Sequence, residues 1–115
     1  MPQPSRKQQQ MMMRQLQEAQ KMQEELEAKL QAEVIEASAG GGMVKVKISG
    51  ALALQSIEID PEAVDPDDVE LLQDMVLAAV NEAIRAASER SAQAQQQLQA
   101  SLLGPLAGQL GGLGL

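Results

Sequence analysis

The chain has 115 residues, 44% of them hydrophobic, and a formal net charge of -7. That length allows one domain with a modest core, and no Phe, Tyr or Trp is available to fill it, so packing must come from Val, Ile, Leu, Met and Ala, with oligomerisation as the expected compensation. Absence of Cys and His excludes thiol nucleophiles, disulfides, zinc sites of the usual kind and the commonest general base, so no enzyme, catalytic residue, metal or cofactor is expected.

Residues 1–5, with Pro2 and Pro4, read as a disordered leader, and Ser5 suits the N-cap of a first helix running from Arg6 to about Gln31. This helix departs from the acidic balance of the chain. Arg6, Lys7, Arg14 and Lys21 face a single acid, Glu18, before Glu24, Glu25 and Glu27 crowd its carboxyl-terminal part. Lys7, Arg14 and Lys21 recur every seven residues and form a basic stripe along one edge. Met12, Leu16, Ala19, Gln23, Leu26 and Leu30 alternate spacings of four and three, an apolar seam that needs a partner surface. A helix of this length, roughly 39 Å, outreaches the core of so small a domain. Part of it is expected to project or to lie on another subunit. Seen alone, the stripe is better read as a solvated face with Arg14/Glu18 and Lys21/Glu25 pairs.

Glu33 to Ser38 has the β-branched pair and length of a first strand, and Ala39-Gly40-Gly41-Gly42 reads as a hairpin connection. It lacks the Lys-Ser/Thr sequel of a phosphate-cradling loop. In Met43 to Ser49, Val44, Val46 and Ile48 alternate with Lys45 and Lys47, the clearest strand pattern in the chain. The third strand, Leu52 to Ile59, changes parity between Leu52/Leu54 and Ile57/Ile59. Either a bulge sits near Gln55-Ser56 or both faces are covered. Asp65-Pro66-Asp67-Asp68 opens a second helix, with Asp65 as expected N-cap and Pro66 in the first position. The acids there do not have the spacing of a calcium loop. Val69, Leu72, Val76, Ala79/Val80, Ala83 and Ala87 form its apolar stripe, and a Gln- and Ala-rich arm then runs to about Ala100. Residues 101–115, rich in Gly and Leu, read as a flexible tail.

The order of helix, three strands and helix, with Val44-Lys45-Val46-Lys47-Ile48-Ser49-Gly50 followed by Ile57-Glu58-Ile59-Asp60-Pro61, resembles the YbaB/EbfC family of bacterial nucleoid-associated proteins. The resemblance spans roughly residues 6–100. It implies an α+β fold (αβββα) in a single domain over 6–100, an intertwined homodimer with protruding helices, and binding of double-stranded DNA by those helices in DNA compaction or protection. Carried onto this chain, the implied DNA-binding residues are Arg6, Lys7, Arg14 and Lys21, with Arg85 and Arg90 on the second helix as further candidates. A cytoplasmic, nucleoid location is implied, with no membrane contact and with replication or recombination proteins as further partners. The absence of aromatic side chains weighs against single-stranded nucleic acid, so the mechanism that fits the residues is mainly phosphate contact with a duplex, largely non-specific, although Gln8, Gln9, Gln10, Gln15 and Gln17 could reach base edges or phosphates. Two other classes share parts of the pattern. A prefoldin-like chaperone would use Met11-Met12-Met13 as a client-holding tip, though the second helix lacks its sustained heptads. A protein-interaction adaptor of the replication or repair machinery would touch DNA only through its partners.

Overall fold

The computed structural model describes Gln3 and residues 5–112, the last eight of these as backbone only. Helix α1 (Arg6–Ala32) is followed by strands β1 (Val34–Ala39), β2 (Val44–Ser49) and β3 (Leu54–Ile59), a short 3-10 turn (Pro61–Ala63) and helix α2 (Val69–Gly112). The sheet is antiparallel in the order β1-β2-β3. This is the expected αβββα arrangement. Of the expected leader, Met1, Pro2 and Pro4 lie outside the described residues, as do residues 113–115 of the expected tail.

Local chemistry sets the element ends. The Ser5 hydroxyl accepts the Gln8 backbone N–H while the Gln8 side chain accepts the Ser5 N–H, a reciprocal cap that starts α1 where the sequence places it. At α2 the cap differs from expectation. Asp65 Oδ1 accepts the Asp67 N–H inside a turn, and Asp68 Oδ1 accepts the Leu71 N–H, so Asp68 caps the helix and Pro66 belongs to the turn before it. The backbone of α2 continues past Ala100 to Gly112, through Gly104 and Pro105, beyond the end that the sequence pattern gives it.

The parity change in the third strand is a bulge. Lys47 pairs with Ser56 and Ile48 with Leu54, leaving Gln55 without a partner. The extra residue turns Leu54 to the same face as Ile57 and Ile59, so all three lie beside Val44, Val46 and Ile48. On the opposite face Lys45 stands across from Glu58 and Lys47 from Glu36, which makes that surface mixed in charge and not basic.

α2 lies over β1 and β2. Ala79, Ala83 and Ala87, four residues apart, are fully buried against the sheet with Ala37, Val44, Val46 and Ile48, and their small side chains bring the helix close. Among the described residues, Ile48, Val44 and Val46 are the largest side chains that are fully enclosed. At ~1.5–3 kcal/mol each they supply a stabilisation comparable to the whole net stability of a small domain, about 5–15 kcal/mol, before chain entropy is subtracted. The core of the chain is therefore thin. β3 stays largely uncovered: Leu54, Ile57 and Ile59 are 40–48% exposed although they share the core face.

α1 joins this body only at its carboxyl-terminal end. Leu30 is buried, and Gly50 in the β2–β3 turn lies so close that a Cβ there would come within 3.0 Å of both the Leu30 carbonyl oxygen and its side chain. Met22, Leu26 and Lys29 face Ala94, Gln97, Leu98 and Ser101, so α1 and α2 run antiparallel away from the sheet. The molecule measures 76 × 30 × 22 Å with a radius of gyration of 22.5 Å, against about 13 Å for a compact chain of similar length.

Candidate nucleic-acid interface

The seam and the stripe of α1 occupy opposite sides of the helix. At about 100° per residue, Met12, Leu16, Ala19, Gln23, Leu26 and Leu30 cluster within roughly 40° of one line, whereas Lys7, Arg14 and Lys21 fall about 140–180° away from it. Packing of the seam therefore turns the cations outward. The structure bears out this division where α1 meets α2: Gln23 and Leu26 are half-buried and Leu30 is buried, while Lys21, Glu24 and Glu25 are exposed. From Arg6 to Glu18 every residue is exposed, an unsupported arm about 20 Å long.

Arg6, Lys7 and Arg14 stand on this arm, and Lys21 is exposed just beyond it, beside the half-buried Met22 and Gln23. Among these cations Lys21 has an ionic contact within the described residues, with Glu25 at 4.0 Å, and both groups are largely in solvent. Such a pair is worth a few tenths of a kcal/mol and yields readily to a phosphate.

Arg85 and Arg90 are not brought to this surface. Arg85 lies between two carboxylates on α2, in ion pairs with Glu82 and, at 2.7 Å, with Glu89. Those contacts hold its guanidinium well above its ordinary pKa and lower that of Glu82. Arg90 makes a two-pronged contact with Glu33, Nε to Oε2 at 2.8 Å and Nη2 to Oε1 at 2.7 Å, with both side chains 27% exposed. The fork ties α2 to the junction of α1 and β1. Hydrogen bonding to Arg90 lowers the Glu33 pKa against the opposing effect of desolvation, with smaller help from the charges of Arg90 and Lys29. Glu33 and Arg90 are 57 residues apart, so no local pattern in the chain signals the pair.

A second surface feature was also hidden. Ile59 with Leu72, Gln73, Val76, Leu77 and Val80 lines an open groove of about 410 Å³ between β3 and the outer flank of α2. Leu77 is 60% exposed there. The groove joins Ile59 of β3 to residues of α2 that begin at Leu72, so no local pattern in the chain marks it. Among the described residues no cluster of side chains could hold a metal ion, and no helix is long and apolar enough to cross a membrane.

The fold and its basic projection define a class: small acidic αβββα proteins that hold a cationic helix away from the body. This chain belongs to the YbaB/EbfC DNA-binding family, whose model matches residues 6–102. It is 56% identical over 78 residues to a nucleoid-associated protein of Alkaliphilus metalliredigens, with 68% of each chain covered. It is 43% identical over 96 residues to a nucleoid-associated protein of Chloroflexus aurantiacus, covering 84% of this chain and 96% of that one. The crystal structure of an uncharacterized protein from Helicobacter pylori superposes with a TM-score of 0.66 at 25% identity, over 88% of this chain and 99% of that chain. The family is one of nucleoid-associated DNA-binding proteins and is not an enzyme family.

Proposed function

We propose that this protein binds duplex DNA as a homodimer through the α1 arms, by phosphate contacts without base readout, and acts in compaction or protection of the nucleoid. The observation that carries the reading is the wholly exposed arm from Arg6 to Glu18, with its cations opposite the apolar seam. Cations in a stripe repeat every seven residues, about 10.5 Å along the helix, and each neutralised phosphate releases a condensed counterion. Arg6, Lys7, Arg14 and Lys21 are the contact residues. Arg85 and Arg90, held by internal carboxylates, contribute weakly if at all to affinity.

The homodimer is supported by the uncovered face of β3 and the groove beside it. Leu54, Ile57, Ile59 and Leu77 form an apolar surface contiguous with the core of a subunit whose own core is thin. A second copy placed there buries it and doubles the four cations to eight.

The test is binding of the purified protein to a labelled duplex across a salt series, with random-sequence competitor. Binding that weakens steeply with salt and is removed by the competitor supports the reading. No binding at low salt by an intact dimer refutes it and leaves an interaction adaptor of replication or repair proteins as the better account.

A further inference from the structure

Three consecutive methionines lie on the wholly exposed part of α1: Met11, Met12 and Met13 are 61, 59 and 61% exposed. Successive residues are turned by about 100°, so the triplet spreads over roughly 200° of the circumference. Met12 belongs to the seam. Met11 and Met13 stand about 100° to either side of it, on the two margins of the basic face. Met11 follows Lys7 by four residues and precedes Arg14 by three, which puts it one helical turn from each. Met13 takes the other margin, level with Gln10 and Gln17 at the same spacings. A helix packed on the seam covers a stripe of about 100°, so it cannot enclose both flanking methionines.

Across the outward face the order is thus apolar, cationic, apolar. A helix that reads a groove floor needs base-contacting side chains along its centre, with phosphate contacts at the rim. The order here is the reverse, and it matches a ridge: the sugar-phosphate strand, whose phosphates project outward while deoxyribose C–H groups between them are exposed toward the grooves on either side.

We propose that Met11 and Met13 are DNA contacts that straddle the phosphate row bound by the stripe and lie against the C–H surfaces of the deoxyriboses beside it. This rests on the arm being the DNA-binding element. Methionine suits the task because its unbranched, polarizable chain follows an irregular apolar surface. The contact also discriminates. Deoxyribose presents a CH2 group where ribose carries a 2′-hydroxyl, and pressing that hydroxyl against a thioether strips its water without replacing the hydrogen bond. The methionines therefore select DNA duplexes over RNA duplexes, while the cations supply affinity for both.

The experiment compares DNA and RNA duplexes of matched sequence and length, bound to the full chain across a salt series. The unaltered protein is expected to prefer DNA by about tenfold. The double variant M11Q/M13Q keeps side-chain length and helix propensity. It is expected to lose about tenfold in DNA affinity, to bind RNA as before, and to keep the same salt dependence. Equal binding of the two duplexes by the unaltered protein overturns the proposal, as does a double variant that retains the preference. A changed oligomeric state of M11Q/M13Q, read by sedimentation, overturns it as well and assigns the methionines to a subunit contact. The underlying arm reading fails by a different result: full DNA affinity in the variant R6Q/K7Q/R14Q/K21Q.

Discussion

Replacement of Arg14 by glutamine tests whether the arm cations act independently on phosphates. Arg14 is exposed and lies in the middle of the stripe, so the substitution removes charge without opening a cavity. Each neutralised phosphate contributes about 0.9 to the slope of log K against log salt. Four contacts from one arm give a slope near -3.6 and an affinity loss of about 150-fold between 50 and 200 mM salt. Eight contacts from two engaged arms double the slope to about -7. Arg14→Gln removes one contact per arm. The slope should become shallower by about 0.9 with one arm engaged, or about 1.8 with two, and affinity at 0.15 M salt should fall about fivefold or thirtyfold. The substitution therefore also counts the arms on the duplex. Fluorescence anisotropy with a labelled duplex at five or so salt concentrations reads both quantities. Arg85→Gln is the control, because that guanidinium already lies between Glu82 and Glu89, and its slope should equal that of the unaltered protein. An unchanged slope in Arg14→Gln, or a shallower one in Arg85→Gln, refutes the assignment.

Gly50→Ala should destabilise the fold by about 1–3 kcal/mol, seen as a lower midpoint in thermal denaturation, because its Cβ would meet the Leu30 carbonyl at the end of α1; an unchanged midpoint would mean that α1 gives way at no cost. Leu52 adopts a φ of +65° in the β2–β3 turn, so Leu52→Asn should stabilise by about 0.5–1 kcal/mol, and a loss instead would show that the leucine side chain has a partner in the assembled protein. Glu33 has a lowered pKa in the folded state, so the unfolded chain binds its proton first as pH falls. The stability it contributes is complete above its usual value of 4.5 and is lost as pH drops through the folded value. Urea titrations over that acid range should show Glu33→Gln with a flatter pH dependence than the unaltered protein, and identical profiles would sink the account of the Arg90 fork.

The legible parts of this protein are those written in local order. The seam and stripe of α1 follow from spacing alone, and the alternation of Val44, Val46 and Ile48 fixes the central strand and its buried face. The long-range parts are not local, and spacing missed them. Nothing near Arg90 marks it as the partner of Glu33, because an ion pair between residues 57 apart is made by the packing of α2 on the sheet. From sequence Arg90 is one more cation on a polar helix, and in the structure it is a tie. The N-cap of α2 was misplaced for a different reason. Asp65-Pro66 and Asp68-Val69 both satisfy helix-start chemistry, and the choice falls to the turn that Asp65 closes on Asp67. The third strand illustrates an intermediate case. Its parity change required a bulge or two covered faces, and pairing with β2 decides for the bulge at Gln55.

An acidic protein in a DNA-binding family raises an electrostatic problem, and the fold answers it by distance. Residues 6–23 carry four cations and one acid, a net +3, so the remainder of the chain holds -10 of the total of -7. Averaged over the surface, that balance repels a duplex. The screening length at physiological salt is about 8 Å, however, and Arg14 stands ten residues from Glu24, the first acid of that remainder, about 15 Å along the helix. Phosphates at the stripe are thus screened from the acidic body but not from the arm's own cations. The screening is least complete at Lys21, which has Glu24 and Glu25 within one turn and Glu25 at 4.0 Å. On the proposed binding mode the surface would be graded along α1, strongest from Arg6 to Arg14 and weakening toward the body. The length of the helix, which the core does not require, is what this gradient needs: a shorter arm would place the same four cations inside the field of the carboxylates.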